Sequence, residues 1–206
     1  MITKYALAEL ALRRLSGGDI SKDSEINIRE MMLAVSQARD FVVRQELWQL
    51  LAMGEVDIAG EYITTYEDVA IHKDDKKNLY YSDIPANYIN LPKDMGVYQI
   101  SLMQDQFNSF VPTSSTFFSM YRGLLSQDLG GRKGYFVEGK RVYYTNMASA
   151  DDIEKALFKL VVSSSEVDED DIFPIPADKE MEVINMAVQS YLQMKQIPND
   201  QLNDNA

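Results

Sequence analysis

Two different rhythms of apolar and polar residues divide this chain. In the first fifty residues the apolar positions recur at spacings of three and four, the period of a buried helix face. Ile2 to Leu15 is rich in strong helix formers (Ala6, Leu7, Ala8, Leu10, Ala11, Leu12, Leu15), with Arg13 and Arg14 placed to complement the helix dipole and Gly17-Gly18 as a stop. Asp23-Ser24 offers the N-cap of a second, longer helix, in which Ile28, Met31, Met32, Val35, Ala38, Phe41, Val42 and Leu50 form the apolar periodicity and Gly54 closes it. The expectation is an αα-hairpin.

From about residue 60 the pattern shortens. Tyr62–Tyr66, Val69–Ile71, Leu79–Tyr81, Gly96–Met103 and Ala156–Val162 read as strands, with His72–Asn78 as a charged turn. The clearest hairpin runs Gly134–Val137, Glu138-Gly139-Lys140, Arg141–Tyr144: two aromatic-rich runs around a Gly-containing turn. An acidic run follows, then Phe173-Pro174-Ile175-Pro176, whose prolines enforce an extended entry. A last helix begins at Ala177 or Asp178, carries Met181, Ile184, Val188, Tyr191 and Leu192, and ends near Gln196 before Pro198. No internal repeat is present. The predicted class is α+β, a single discontinuous domain. Residues 1–54 and 177–197 form a helical body, 60–162 a β-rich insertion, and 198–206 a flexible acidic tail.

Composition narrows the chemistry. With 206 residues and 46% hydrophobic content, disorder of the whole chain is excluded. No apolar run approaches the roughly 20 residues that span a bilayer. The N-terminal stretch carries Lys4, Glu9, Arg13 and Arg14, which suits an amphipathic helix better than a signal peptide. The absence of cysteine removes disulfides, thiolate metal sites and cysteine nucleophiles, and the single histidine, His72, leaves little for zinc or a catalytic triad. The net charge is −12, and residues 160–206 hold ten acids against Lys179 and Lys195. No basic stripe for displacing phosphate counterions is visible.

Each candidate motif has a plain alternative. Glu166, Asp168, Glu169, Asp170 and Asp171 could hold a hard cation, yet their spacing fits no EF-hand, and a solvated loop is the simpler reading. Gly130-Gly131-Arg132-Lys133-Gly134 lacks the Walker pattern and leads into a strand, so a basic loop tip is expected. His72 is expected at the surface, and no nucleophile elbow accompanies it. The helix methionines read as core. The twelve tyrosines read as strand residues, some of them anchors of a protein–protein surface. No cofactor, metal or catalytic residue is expected.

The order of features resembles the head–tail connector (portal-adaptor) proteins of tailed bacteriophages. Three segments carry the resemblance: Phe173-Pro174-Ile175-Pro176-Ala177-Asp178-Lys179-Glu180 before the last helix, Asp83–Val97 with its Leu91-Pro92 turn and Gly96-Val97 strand, and the opening Lys4–Asp19. The opening is similar to ring proteins of crAss-like podoviruses. The resemblance implies a virion structural protein, made in the bacterial cytoplasm, forming a homo-oligomeric ring, a dodecamer, between the portal and neighbouring connector or tail rings. DNA would pass through without sequence-specific binding, and no membrane is involved. Met181, Ile184, Val188, Tyr191, Leu192, Ile197 and Leu202 are the expected partner-docking residues, and Glu166, Asp168, Glu169, Asp170 and Asp171 the candidate lumen-facing acids. Two other readings compete with it. One is a β-rich protein- or glycan-binding module of a virion or cell surface. The other, ranked last, is an enzyme using acid–base chemistry around residues 166–171.

Overall fold

The computed structural model describes residues 2–16, 27–55, 57–113, 133–147 and 155–196. The protein is α+β and divides into two compact units. Residues 1–62 and 163–206 form the helical unit, and residues 63–162 the β unit.

In the helical unit, α1 spans Lys4–Leu15 and is capped by Thr3, whose hydroxyl accepts from the Ala6 amide. It buries Leu7, Ala8, Ala11 and Leu12, one face at helical spacing. Helix α2 runs Ile28–Ala52. Its cap is Asn27, whose side chain accepts from the Arg29 amide, so the helix starts later than an Asp23-Ser24 cap would place it. The Asp23-Ser24 pair itself lies outside the described residues. At the other end Gly54 takes φ +81, the Gly54 amide donates to Leu51 O and the Glu55 amide to Leu50 O. That is a Schellman ending, which needs a left-handed residue, and glycine supplies it without strain.

Helix α2 packs against both α1 and α3 (Glu180–Gln196). Two partners explain why its buried set, Met31, Met32, Ala34, Val35, Ser36, Ala38, Arg39, Val42, Val43 and Leu47, is far wider than one stripe. A 3-10 turn, Ala177–Lys179, precedes α3, which buries Val183, Ile184, Ala187 and Tyr191. No helix among the described residues is long and apolar enough to cross a membrane.

The β unit contains two sheets. Strands β1 (Ile63–Ala70), β8 (Lys155–Val161) and β4 (Val97–Leu102) form one, in the order β1-β8-β4. The other has the order β2-β3-β7-β6-β5, with β2 His72–Asp74, β3 Leu79–Asp83, β7 Arg141–Thr145, β6 Gly134–Glu138 and β5 Val111–Pro112. All pairings are antiparallel except β5 with β6. The two expected strands at 62–66 and 69–71 are one, Ile63–Ala70, interrupted by a bulge where Asp68 takes φ +60, with Tyr62 ending a 3-10 turn before it and Ile71 falling just after it. The charged turn is also shorter than its sequence suggests. His72, Lys73 and Asp74 pair with Tyr81, Tyr80 and Leu79, and Asp74 accepts from the Lys76 and Lys77 amides to close the loop.

A common core lies between the sheets, built from Ile100, Leu102, Phe110, Tyr135, Val142, Tyr144, Phe158 and Leu160 among others. Phe110 meets the Tyr144 ring edge-on at 5.3 Å. Three of the buried hydroxyls here are partnered, Tyr144 donating to Ser82 Oγ, Ser82 to Ala70 O and Tyr135 to Val97 O, while Ser101 Oγ is buried with no partner among the described residues. Burial pushes the Tyr135 phenol up to about 12, with the nearby Asp94 carboxylate adding to it.

Candidate interaction surface

Only a narrow strip of α2 faces water along its central turns. The exposed positions from 33 to 48 are Leu33, Gln37, Phe41, Arg44, Gln45 and Trp48, spaced by three and four and covering about a third of the helix circumference. Leu33 is 60% exposed, Phe41 55% and Trp48, the only tryptophan of the chain, 62%. A solvated strip on a helix usually carries charge. Here the large apolar side chains dominate and Arg44 is the only exposed charge between Leu33 and Trp48. Exposed apolar residues aligned on one rigid element, unlike scattered ones, mark an interaction site.

The strip is held on a stiff base. Arg39 is fully buried, and its guanidinium donates from Nε and Nη2 to Pro174 O and from Nη1 to Asp40 Oδ1, each at 3.1 Å. Its planar face lies over the Tyr62 ring at 5.6 Å. Burial pulls the Arg39 pKa below the usual guanidinium value, and Asp40 acts against that shift. Asp40 in turn accepts from the Ser164 amide and from the hydroxyls of Ser163 and Ser164. Tyr62 donates to Glu46 Oε2 at 2.8 Å, and burial, ahead of that carboxylate, raises the phenol strongly. One turn of α2 therefore clamps the chain both where it re-enters the helical unit at Ser163 and at the Pro174 segment.

That returning segment carries the acidic run. Glu166, Asp168, Glu169, Asp170 and Asp171 are all exposed. Their backbone is fixed: Lys4 Nζ donates to Ser164 O and Val167 O, the Tyr5 amide to Glu169 O, and the Phe173 amide to Ile2 O. Exposed Tyr5 and Ile172 accompany the acids on these paired segments. Among the described residues, Asp168, Glu169, Asp170 and Asp171 form no ion pair, and no group of three metal-ligating side chains converges.

The expected docking residues of the last helix are divided by the fold. Ile184 and Tyr191 are buried inside the helical unit, Tyr191 reaching Glu30, and Val188 is half-buried. These three are held within the chain's own helical packing. Met181, whose sulfur accepts from Arg14, and Leu192 are exposed. Ile197 and Leu202 lie outside the described residues, as do Gly130, Gly131 and Arg132 of the basic loop. Gly134 begins β6, where an added Cβ would come within 2.6 Å of Thr145 Oγ1.

In the β unit the tyrosines form rows across the sheet. His72, Tyr81, Tyr143 and Phe136 occupy one cross-strand row over four strands, with ring centroids 5.6, 5.9 and 5.4 Å apart in sequence along it. Arg141 covers Tyr81 at 4.4 Å and Lys77 covers Tyr143 at 4.1 Å. His72 is exposed at the edge, but every described tyrosine of this unit is buried or half-buried. Among the described residues of this unit, Phe107 is the exposed large aromatic, at 103% exposure the tip of the loop after β4. Gln99 Nε2 donates to Gln106 O and Ser109 Oγ, and Asn108 bonds Asp105, so this tip is held in place.

The α2 strip was legible only in part from the sequence. Phe41 reads there as a core position, because it follows Ala38 at a spacing of three, whereas the fold turns it outward. The usable signal was that Leu33, Phe41 and Trp48 fall, at 100° per residue, on a different face of α2 from Met31, Val35, Ala38 and Val42. No protein-family model matches the sequence, and no curated protein matches it either.

Proposed function

We propose that this chain is a structural subunit that assembles with copies of itself into a ring of a phage head–tail connector, with the helical unit making the contacts. The observation that carries the reading is the Leu33–Phe41–Trp48 strip, a preorganised apolar surface left uncovered among the described residues. A ring demands surfaces that stay open in the monomer and close between copies, and aromatic anchors on a clamped helix are suited to it. The test is to mix the purified full chain with the portal and neighbouring ring proteins and weigh the particles by mass photometry. Closed rings are expected, twelve copies each, and a Leu33→Ser/Phe41→Ser/Trp48→Ser variant should remain a folded monomer. A wild-type chain that stays monomeric on the portal would sink the reading.

One observation favours a second reading, a protein-binding module acting through the β unit: the ordered, fully exposed Phe107 tip. The half-buried tyrosines offer no flat aromatic platform of the kind a glycan stacks on. In that reading a Phe107→Ser variant loses a partner while the particles described above form unchanged.

A further inference from the structure

Resting on the self-assembly reading, we propose that the contact between copies is head-to-tail: the α2 strip of one copy packs on the Tyr5–Ile172 edge of the next, and Arg44 meets the carboxylates of Asp168–Asp171. Charge complementarity selects this occupant. Arg44 sits among apolar residues and forms no ion pair among the described residues. Four carboxylates that form no ion pair among the described residues stand beside exposed Tyr5 and Ile172 on a segment that the α1 backbone and Lys4 hold rigid. Each patch lacks what the other has: one offers large apolar anchors with a cation, the other a smaller apolar edge rimmed by anions. A copy of the α2 strip facing itself would instead bring Arg44 toward Arg44, a like-charge contact that disfavours the two-fold arrangement. Two different patches on one chain are what a heterologous, ring-closing interface requires.

The experiment is charge reversal in the full chain, read by sedimentation velocity alone and on the portal. Arg44→Glu and, separately, Asp168→Lys/Asp170→Lys/Asp171→Lys should each weaken association by about tenfold or more, as truncating a buried interfacial charge pair does. Combining all four changes in one chain should restore most of it. The triple reversal also brings the net charge from −12 to −6, so general charge repulsion alone predicts tighter association, the opposite sign. The Asn versions of the three acids, which keep side-chain size, serve should the lysines disturb folding. If the acid variants associate like wild type while the Leu33/Phe41/Trp48 variant does not, the head-to-tail pairing is wrong and self-assembly stands. If the apolar variant also associates normally, or the wild type never associates, both fall.

Discussion

Replacing Arg39 with methionine tests the base on which the α2 strip stands. The guanidinium's charge-assisted bonds include two to Pro174 O and one to Asp40. Methionine fills similar space but donates nothing, so Pro174 O loses both of these donors, a loss of about 1–3 kcal/mol. Breaking a buried ion pair costs about 3–5 kcal/mol when the remaining charge is uncompensated. Asp40 falls at the low end, because it is 20% exposed and keeps its three bonds from Ser163 and Ser164. Against these losses, the desolvation of the guanidinium that pulls its own pKa down is recovered. The net expectation is about 2–4 kcal/mol, a large share of the ~5–15 kcal/mol that holds a typical domain. Urea unfolding followed by the helical circular dichroism signal should show the midpoint falling by roughly 1–2 M at unchanged slope, for a slope near 2 kcal/mol/M. The Arg39→Met/Asp40→Asn double variant should recover part of the loss. A single variant whose midpoint stays within about 0.25 M of wild type, where mutational effects become negligible, would refute the clamp.

Other expected outcomes follow from the β unit and its buried hydroxyls. Tyr135 binds its proton more tightly folded than unfolded, so its contribution is fully present below pH ~10 and is lost as the pH rises towards about 12, up to roughly 2.7 kcal/mol. A tyrosinate absorbance titration should therefore show a late group ionising together with loss of structure; one smooth titration near pH 10 with structure retained would contradict this. Gly96→Ala drives a Cβ into Ile89 O and the Tyr88 ring, and should lower the β unit's thermal midpoint through a loss of about 1–3 kcal/mol. An unchanged midpoint would show the strand entry to be loose. Phe107→Ser should leave the chain's stability within about 0.5 kcal/mol, since the ring touches only water. A larger loss on calorimetry would mean the tip packs in solution.

What could be read from the chain was local. The β6–β7 hairpin forms where Glu138-Gly139-Lys140 places it, because a tight turn is decided by adjacent residues, and Gly139 takes φ +64. The order helix, helix, β-rich stretch, helix follows from period alone. Boundaries were less legible: Asn27, not Asp23-Ser24, caps α2, since several polar residues in a row all qualify as caps. Burial on the last helix was half legible, because periodicity gives a face but not what covers it, and Ile184 and Tyr191 proved to be covered from within the chain. The Arg39 clamp was invisible, as its partner Pro174 lies 135 residues away.

The central claim is that the α2 strip meets another copy of the same chain. A photo-crosslinking amino acid in place of Trp48, in full-length protein assembled on the portal, reports its neighbour directly by mass spectrometry. The account predicts crosslinks between copies, landing on the segments around Tyr5 and 168–172. Crosslinks confined to the same chain, or to a different protein with none between copies, would contradict it.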